Sequence, residues 1–423
     1  METVFYPASL RGVVQAPPSK SECQRRMICA AMTPAATCLQ PLDPAEDIEA
    51  FQRCIQALGA KVIRQGDQAV ITGGAAPLRP APTLDCGESG AALRFFLPIT
   101  LCMTKGGQFV LHGGLSRRPM AIYQDLFVPQ GVRWHMSEGV DGAAVLKVQG
   151  HMQAGDFLLP GNVSSQFISG LMFALPLLQE TSTLQVLPPV ESAGYIHMTL
   201  EALANSGIVL EELGPYRWRI PGNQTYRAAD FSLPGDYSHG AVLLCAGALG
   251  HDITVRGLRQ DTQQGDRAIL RYLTQLGAQV DETDDMIKVR GGSLHGAVMD
   301  IRDCPDLLPC LALTCQLAQG ETRLVGCDRH RWKETDRLEG TRKMLNKLGG
   351  YVQIQGDEMI IKGVDSLKGG VTVNTQQDHR LVMAAAVAAT ICQEPIRTAD
   401  VSALNKSWPG FLSLYRQLGG QAR

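Results

Sequence analysis

Apolar positions near the N-terminus predict an amphipathic helix that ends at a glycine and leads into a strand. One face of the helix is formed by apolar residues at i, i+3, i+7 and i+10: Ile48, Phe51, Ile55 and Leu58. Asp43 is placed to cap this helix, Pro44 suits its first turn, and Glu46 stands at the capping-box position. Gly59 suits the left-handed residue that follows many helices.

The same ending recurs along the chain. Six glycines each close a helical pattern and precede a strand-like or terminal segment: Gly59, Gly131, Gly207, Gly277, Gly349 and Gly419. Their spacings are 72, 76, 70, 72 and 70 residues, so six repeats of about 70 residues account for nearly the whole chain. Each repeat is expected to be an α/β unit that buries its apolar face against its neighbours.

The two ends of the chain complement each other in this repeat pattern. The strand-like segment 3–6 has no helix before it, and the last repeat lacks a strand after its glycine. We therefore expect the N-terminus to complete the last repeat. This predicts an N-terminal domain of residues 19–233 with three repeats. It also predicts a discontinuous C-terminal domain of residues 1–18 plus 234–423 with the other three.

Composition excludes several classes of protein. Apolar residues make up 45% and charged residues 19%, which excludes intrinsic disorder. The net charge of −2 gives no general reason to bind nucleic acid or an anionic membrane. No secretion signal follows the first residue, and the longest apolar run, residues 381–392, is too short to span a bilayer. The twelve cysteines show no C-x-x-C spacing, so we expect reduced, packed thiols, no metal site and a cytoplasmic protein.

Several predicted helix starts carry cations, although the N-terminus of a helix has partial positive charge. The cationic residues at or near these starts are Lys20, Arg25, Lys333, Arg337, Arg380 and Lys406. A further start, at residues 161–166, is uncharged but rich in hydroxyl groups. A single such cation is usually a solvated surface residue, but four cationic starts in one chain favour a shared site for phosphate or carboxylate groups.

Two other segments fit an anion site less specifically. Residues 85–94 form a glycine-rich turn into a helix, with Arg94 one turn inside, and Arg118 stands in a predicted loop. Neither segment matches G-x-G-x-x-G or G-x-x-x-x-G-K-[ST], so a nucleotide site is not supported.

The motifs resemble, in order and over essentially the full length, those of the 5-enolpyruvylshikimate-3-phosphate synthases, an enolpyruvyl transferase family. The segments that carry the resemblance are residues 18–25, 85–94, 118–119, 163–166, 195–196, 304–307, 333–337, 378–380 and Lys406. K-E-T-D-R at 333–337 and D-H-R at 378–380 are the specific signals.

This resemblance implies an α/β fold of two similar domains. Each would consist of three βαβαββ-type repeats, with helix N-termini converging on an interdomain cleft. It also implies the reaction, in which the 5-hydroxyl of shikimate 3-phosphate attacks C2 of phosphoenolpyruvate. The tetrahedral intermediate then loses phosphate, and no metal or organic cofactor takes part. The family further suggests a monomer. Because the implied site residues come from both halves of the chain, we also expect the domains to close on shikimate 3-phosphate.

The resemblance also implies roles for individual residues. The shikimate 3-phosphate residues would be Lys20, Ser21, Arg25, Ser164, Ser165, Gln166, Tyr195, Asp306 and Lys333. The phosphoenolpyruvate residues would be Lys20, Gly90, Arg118, Gln166, Arg337, Arg380 and Lys406. Lys20, Asp306 and Glu334 are the candidates for general acid and base, with the individual steps left open. Neighbouring cations would favour the ionised form of Glu334, and His379 either contacts phosphate or braces its turn.

The chain departs from the family pattern at three positions. Glu88 replaces the usual Asn and needs a neutralising partner, for which Arg94 is the candidate; Ala91 replaces Thr, and Arg329 stands where Asn is common. Gly90 is kept, and in this family a small residue there leaves room for the inhibitor glyphosate, so we expect inhibition.

Two other functions compete with this interpretation. A UDP-N-acetylglucosamine enolpyruvyl transferase would share the fold, but residues 112–116 lack the loop cysteine usual in that family. A non-catalytic homologue that binds anionic metabolites would be expected to lose one of the residues that carry the chemistry. None of these is lost: Lys20, Asp306, Glu334 and Arg380.

Overall fold

The computed structural model describes residues 2–74 and 80–423, which divide into two compact units. The continuous unit is Lys20–Leu233, and the discontinuous unit joins Met1–Ser19 to Pro234–Arg423. The predicted boundaries lie within one residue of these. Within the described residues, no helix combines the length and apolar character needed to cross a bilayer.

The strands of the two units are short. The discontinuous unit begins with β1 (Thr3–Tyr6) and β2 (Arg11–Gln15). The continuous unit contains β3 (Thr37–Gln40), β4 (Lys61–Gln65), β5 (Gln68–Thr72), β6 (Thr83–Asp85), β7 (Gly106–Leu111), β8 (Arg133–Glu138), β9 (Ala144–Gln149), β10 (Asp156–Pro160), β11 (Ser182–Leu187), β12 (Glu211–Gly214), β13 (Arg217–Ile220) and β14 (Phe231–Ser232). The discontinuous unit resumes with β15 (Asp252–Arg256), β16 (Gln279–Glu282), β17 (Met286–Arg290), β18 (Val298–Asp300), β19 (Glu321–Val325), β20 (Tyr351–Gln355), β21 (Glu358–Lys362), β22 (Thr372–Val373), β23 (Ile396–Thr398) and β24 (Gln421–Ala422).

Each unit has six of the α-helices that the structure describes. Those of the continuous unit are α1 (Lys20–Ala31), α2 (Glu46–Ala57), α3 (Gly90–Met103), α4 (Ala121–Phe127), α5 (Ser165–Ala174) and α6 (Ala193–Asn205). Those of the discontinuous unit are α7 (Tyr237–Ala248), α8 (Ala268–Gln275), α9 (Leu308–Cys315), α10 (Arg337–Lys347), α11 (His379–Ile391) and α12 (Phe411–Gln417).

All six sheets in the described part of the chain follow one pattern of four strands. In β6-β7-β9-β8, for example, the first pair is parallel and the next two pairs are antiparallel. The other five orders are β10-β11-β13-β12, β14-β3-β5-β4, β2-β15-β17-β16, β18-β19-β21-β20 and β22-β23-β1-β24. Six sheets of one pattern are the structural form of the six repeats, and the predicted α/β fold class is confirmed.

The first strand of two repeats comes from an unexpected part of the chain. β2 immediately precedes α1 in sequence but pairs in parallel with β15. β14 precedes α7 in sequence but pairs in parallel with β3. Each strand therefore completes a sheet in the unit it belongs to, and not the sheet of the helix that follows it. A simple division into six consecutive repeats does not predict this exchange.

The core of each unit is built around the first helix of each repeat. In the discontinuous unit, α7, α9 and α11 contact one another, and nearly every residue of the three is buried. Their sequences are rich in Ala, Leu and Cys, so they can pack on all sides, whereas α8 buries a single face. The longest apolar run of the sequence is α11, a buried core helix.

The repeat-ending glycines behave as the pattern predicts. All six have left-handed backbone conformations, with φ between +73° at Gly207 and +102° at Gly419. The predicted start of α2 is wrong in detail. Ala45 is its N-cap and gives no side-chain hydrogen bond, so Asp43 does not cap it and Pro44 lies outside its first turn.

Candidate functional site

Two clusters of the candidate residues form, one within each unit. In the continuous unit, α1 begins at Lys20 as predicted, and the Lys20 ammonium donates to Asp47 Oδ2 at 2.7 Å. Arg25, one turn further along α1, is buried, and this burial lowers its pKa to about 10. A buried cation beside a helix start needs partners that hold it in place.

Arg25 links two of the other candidates for shikimate 3-phosphate. Its Nη1 donates to the backbone oxygen of Ser21 at 2.9 Å, and its Nη2 donates to that of Tyr195 at 3.0 Å. Its Nε donates to Thr199 Oγ1 at 2.9 Å, and its guanidinium lies 5.7 Å from the ring centre of Tyr195. The structure thus brings Ser21, Arg25 and Tyr195 together.

A second group in this unit surrounds the start of α3. Gly90 is the first residue of α3, and a Cβ there would lie 2.6 Å from Arg118 Nη1 and 3.5 Å from Gln166 Oε1. Arg94 Nη1 donates to Gln166 Oε1 at 2.7 Å, and its Nη2 donates to the backbone oxygen of Pro119 at 3.1 Å. Three predicted phosphoenolpyruvate residues, Gly90, Arg118 and Gln166, are therefore neighbours.

The hydroxyl-rich start of α5 also forms as predicted. Ser164 is its N-cap, with Oγ accepting from the backbone N–H of Gln166 at 3.3 Å, and Ser165 is the buried first helical residue. The side chain of Glu88 lies over Gly113, where a Cβ would collide with its carboxylate.

In the discontinuous unit, one buried guanidinium gathers three carboxylates. Arg337 is 1% exposed. Its Nη1 donates to Asp306 Oδ1 at 2.7 Å, its Nη2 donates to Glu334 Oε2 at 2.7 Å, and its Nε donates to Asp378 Oδ2 at 2.9 Å. Two candidate acid–base groups are thus fixed by the same side chain.

Asp306 lies among cations. Lys333 Nζ is 3.9 Å from its Oδ1, and Arg380 Nη2 is 3.4 Å from its Oδ2. Burial alone would raise the pKa of Asp306, but the charges of Lys333, Arg380 and Arg337 hold it well below its ordinary value. Burial lowers the pKa of Lys333 to about 8, although Asp306 opposes this shift. Asp306 is therefore ionised at neutral pH, and the pKa of Lys333 lies only slightly above neutral pH.

Arg380 and Lys406 lie near the start of α7. Arg380 Nη1 donates to the backbone oxygen of Ser238 at 2.7 Å, and its Nη2 donates to Ser238 Oγ at 2.5 Å. Lys406 is buried, and the next residue, Ser407, has its Oγ 3.1 Å from His239 Nε2. His379 is also buried, with Nδ1 3.9 Å from Asp378 Oδ1.

The structure corrects two predicted helix starts. α10 begins at Arg337, because Asp336 caps it by accepting from the Glu339 N–H at 3.0 Å, so Lys333 precedes the helix. α12 begins at Phe411, and Lys406 ends a 3₁₀ turn, Ser402–Lys406. Pro409 disfavours helical backbone at the residue before it, which separates the turn from the helix.

Sequence reasoning missed four polar residues that support the cluster in the discontinuous unit: Asp236, Ser238, His239 and Asp266. Asp236 caps α7 and follows Pro234-Gly235, which is a recognisable helix-start signal. Burial raises the pKa of Asp266 to about 7, and the charge of Asp306 adds to this shift. No comparable sequence signal marks Asp266.

No group of three or more potential metal ligands occurs among residues 2–74 and 80–423. The clusters consist of cations, carboxylates, hydroxyls and helix starts, a donor set that suits phosphate and carboxylate groups.

Comparisons with known proteins identify the family. The family model for EPSP synthase (3-phosphoshikimate 1-carboxyvinyltransferase) matches residues 5–414. The chain is 36% identical over 424 residues to the 3-phosphoshikimate 1-carboxyvinyltransferase of Clostridium beijerinckii, covering 98% of this chain and 97% of that protein. It is 36% identical over 423 residues to the enzyme of that name from Clostridium perfringens, covering 99% and 98%.

Solved structures share the fold. An EPSP synthase from Acinetobacter baumannii aligns with a TM-score of 0.81 at 21% identity, covering 100% of this chain and 99% of that one. The enolpyruvyl transferase NikO from Streptomyces tendae aligns with a TM-score of 0.81 at 17% identity, covering 100% and 98%. With the family match and the curated relatives, these findings show that the chain belongs to the EPSP synthase family.

Proposed function

We propose that this chain carries out the reaction of its family through the two clusters described above. It transfers the enolpyruvyl group of phosphoenolpyruvate to the 5-hydroxyl of shikimate 3-phosphate and releases phosphate. The observation that supports this most directly is the group around Asp306, where two candidate acid–base carboxylates lie beside three cations. Both substrates carry a phosphate and a carboxylate, so a site for them needs several cations.

The proposed roles divide between the units. In the continuous unit, shikimate 3-phosphate would bind Lys20, Ser21, Arg25, Ser164, Ser165, Gln166 and Tyr195. Gly90, Arg118, Gln166 and Lys20 would bind phosphoenolpyruvate. In the discontinuous unit, Asp306 and Lys333 would bind shikimate 3-phosphate, and Arg337, Arg380 and Lys406 would bind phosphoenolpyruvate. What supports this division is that Ser21 lies with Arg25 and Tyr195, and Gly90 with Arg118 and Gln166.

The reaction needs proton transfers that carboxylates and lysines can perform. The attacking hydroxyl loses a proton, and the methylene carbon of phosphoenolpyruvate gains one and later returns it. The candidates remain Lys20, Asp306 and Glu334, each held by an ion pair. The depressed pKa of Asp306 keeps it ionised at neutral pH, which is the form that can accept a proton, but it also makes the carboxylate a weak base.

The first experiment compares phosphate release from phosphoenolpyruvate with shikimate 3-phosphate and with UDP-N-acetylglucosamine, beside a Glu334→Gln variant. We expect release only with shikimate 3-phosphate, and a kcat lower by roughly 10²–10³-fold in the variant, because it loses a proton-transfer group. Glu339→Gln is the matched control, since that carboxylate pairs with Arg342 and Lys343 on α10.

Three outcomes would change the assignment. Release with UDP-N-acetylglucosamine would favour the other enolpyruvyl transferase. Binding of shikimate 3-phosphate without release would favour the non-catalytic homologue and point to Glu88, Ala91 or Arg329. An equal loss of kcat in Glu334→Gln and Glu339→Gln would show that Glu334 does not transfer a proton in the reaction.

Closure on shikimate 3-phosphate, a monomeric state and a cytoplasmic location also remain proposals. An unchanged small-angle scattering profile at saturating shikimate 3-phosphate would contradict closure. A mass above that of one chain in solution would contradict the monomer.

A further inference from the structure

His239 is a buried histidine in the first turn of α7 that the roles proposed above do not use. Its side chain is 1% exposed and contacts groups on both sides. Nδ1 faces Asp236 Oδ1 at 3.2 Å, and Nε2 lies 3.1 Å from Ser407 Oγ. Its ring also meets the Trp408 ring edge to face, with centres 5.2 Å apart. One side chain thus holds the backbone segment that follows Lys406 against the start of α7.

The same carboxylate that faces His239 also holds the residue that orients Arg380. Asp236 Oδ1 accepts from Ser238 Oγ at 2.6 Å and from the His239 N–H at 3.0 Å. Ser238 in turn accepts from both Nη atoms of Arg380, at 2.7 and 2.5 Å. The first turn of α7 therefore supports Arg380 through Ser238 and the Lys406 segment through His239.

The chemistry of the imidazole fits a bridge between these groups. A carboxylate only accepts hydrogen bonds, so the proton of a neutral ring belongs on Nδ1, facing Asp236. Nε2 is then left to accept from the Ser407 hydroxyl. Nε2 contacts Ser407 within hydrogen-bond distance, and Nδ1 lies within ion-pair distance of Asp236 on the other side of a rigid ring. These two contacts limit the distance from α7 to residue 407.

From this geometry we infer that His239 is a positioning residue for Lys406 and thereby sets the affinity for phosphoenolpyruvate. The inference rests on the proposed role of Lys406. His239 itself need not touch either substrate. Its contribution lies in keeping Ser407, and so the neighbouring ammonium group, in one place before the substrate arrives.

A series of variants separates the two contacts of the ring. Asparagine at 239 can keep a contact near Asp236 but is too short to reach Ser407, whereas glutamine can reach it. We expect His239→Asn to raise the KM for phosphoenolpyruvate about tenfold, with the KM for shikimate 3-phosphate unchanged and kcat within about threefold. His239→Gln should recover most of the lost affinity, and Ser407→Ala should resemble His239→Asn.

A double variant tests whether His239 acts through Lys406. Lys406→Met should itself raise the KM for phosphoenolpyruvate, and adding His239→Asn should then have little further effect. Independent, multiplicative effects of the two substitutions would overturn the inference. If Lys406→Met leaves this KM unchanged, the proposed role of Lys406 fails. If Lys406→Met raises it but His239→Asn and Ser407→Ala do not, only the present inference fails.

His251→Gln provides the matched control. His251 contacts neighbours through both ring nitrogens, accepting from the Leu10 N–H at 3.2 Å and lying 2.7 Å from Thr390 Oγ1 near the end of α11. We expect this variant to lower thermal stability without changing either KM. A fall in stability with equal changes in both KM values for His239→Asn would indicate a purely structural histidine and contradict the inference.

Discussion

Arg337 shows how partner residues define a candidate site more fully than its sequence motif does. The K-E-T-D-R motif places Glu334 and Arg337 three residues apart, and the two side chains are in contact although Glu334 precedes α10. The contacts of Arg337 with Asp306 and Asp378 join residues 31 and 41 positions away. Sequence spacing could identify these residues as candidates, but only the folded chain shows which carboxylates hold the guanidinium.

Lys333 should give the enzyme a pH dependence of substrate affinity. Its pKa is lowered to about 8 by burial, and the charge of Arg329 contributes to the shift. The ammonium is charged below this pH and becomes neutral above it. We therefore expect the KM for shikimate 3-phosphate to rise as the pH increases through about 8. Lys333→Arg should flatten the profile, because the guanidinium stays charged.

Arg329 provides an internal check on this explanation. Arg329→Asn removes one of the charges that lower the pKa of Lys333, so the rise in KM should move to higher pH. The KM profile for shikimate 3-phosphate, measured from neutral to alkaline pH, tests both variants. A profile that keeps its midpoint in Arg329→Asn would show that another group titrates.

Gly90 should control access to the phosphoenolpyruvate residues of the continuous unit. A Cβ at this position would lie 2.6 Å from Arg118 Nη1, so Gly90→Ala must displace that flexible guanidinium. We expect the KM for phosphoenolpyruvate to rise roughly tenfold and inhibition by glyphosate to weaken. Gly155→Ala is the control, because nothing lies within 4 Å of a Cβ there. Unchanged kinetics in Gly90→Ala would contradict the proposed role of Arg118.

At the scale of elements, periodicity predicts which segments are helical better than it predicts the residue at which each helix begins. The starts at Lys20, Ser165 and His379 agree with the sequence because Ser and Asp side chains or a proline-rich turn lie just before them. The sequence predicts that residues 332–337 open α10, but this segment contains two acidic residues, and the side chain of the second, Asp336, provides the cap. Choosing between such residues depends on local geometry, which a spacing pattern does not contain.

The cap of α11 should be far more important to stability than the cap of α10. Asp378 is fully buried, accepts from the Arg380 N–H and pairs with Arg337, so Asp378→Ala removes a buried charge partner as well as a cap. We expect a loss of about 3–5 kcal/mol in the unfolding free energy. Asp336→Ala, at a half-exposed cap, should cost about 1 kcal/mol. Urea denaturation measures both, and equal losses would contradict this ranking.

At the scale of the whole molecule, the repeat spacing predicted six similar units, and six sheets of one strand pattern are present in the described chain. The exchange of β2 and β14 was not predictable from the same spacing. Both strands are short: β2 has five residues and β14 has two. The strands with which β2 and β14 pair are determined by long-range packing, which the local sequence pattern does not indicate.

The N-terminal strand should be essential to the discontinuous unit alone. β1 lies between β23 and β24, and its buried Phe5 meets the Tyr415 ring edge to face at 5.7 Å. We expect deletion of residues 2–6 to destabilise this unit while residues 20–233 remain resistant to limited proteolysis. Deletion of residues 421–423 removes only an edge strand and should have a smaller effect. Simultaneous loss of protease resistance in both units would contradict their independence.

The exchanged strands also bear on the order in which the units can form during synthesis. All the strands that complete the continuous unit have been made once β14, at residues 231–232, leaves the ribosome. β1 and β2 are made first, yet β1 pairs with strands near residues 397 and 421. β2 must therefore wait until β15, at residues 252–256, has been made. β1 must wait until almost the last residue has been added. We expect residues 20–233 to fold first on the ribosome, and the discontinuous unit to be completed last, when both ends of the chain are available.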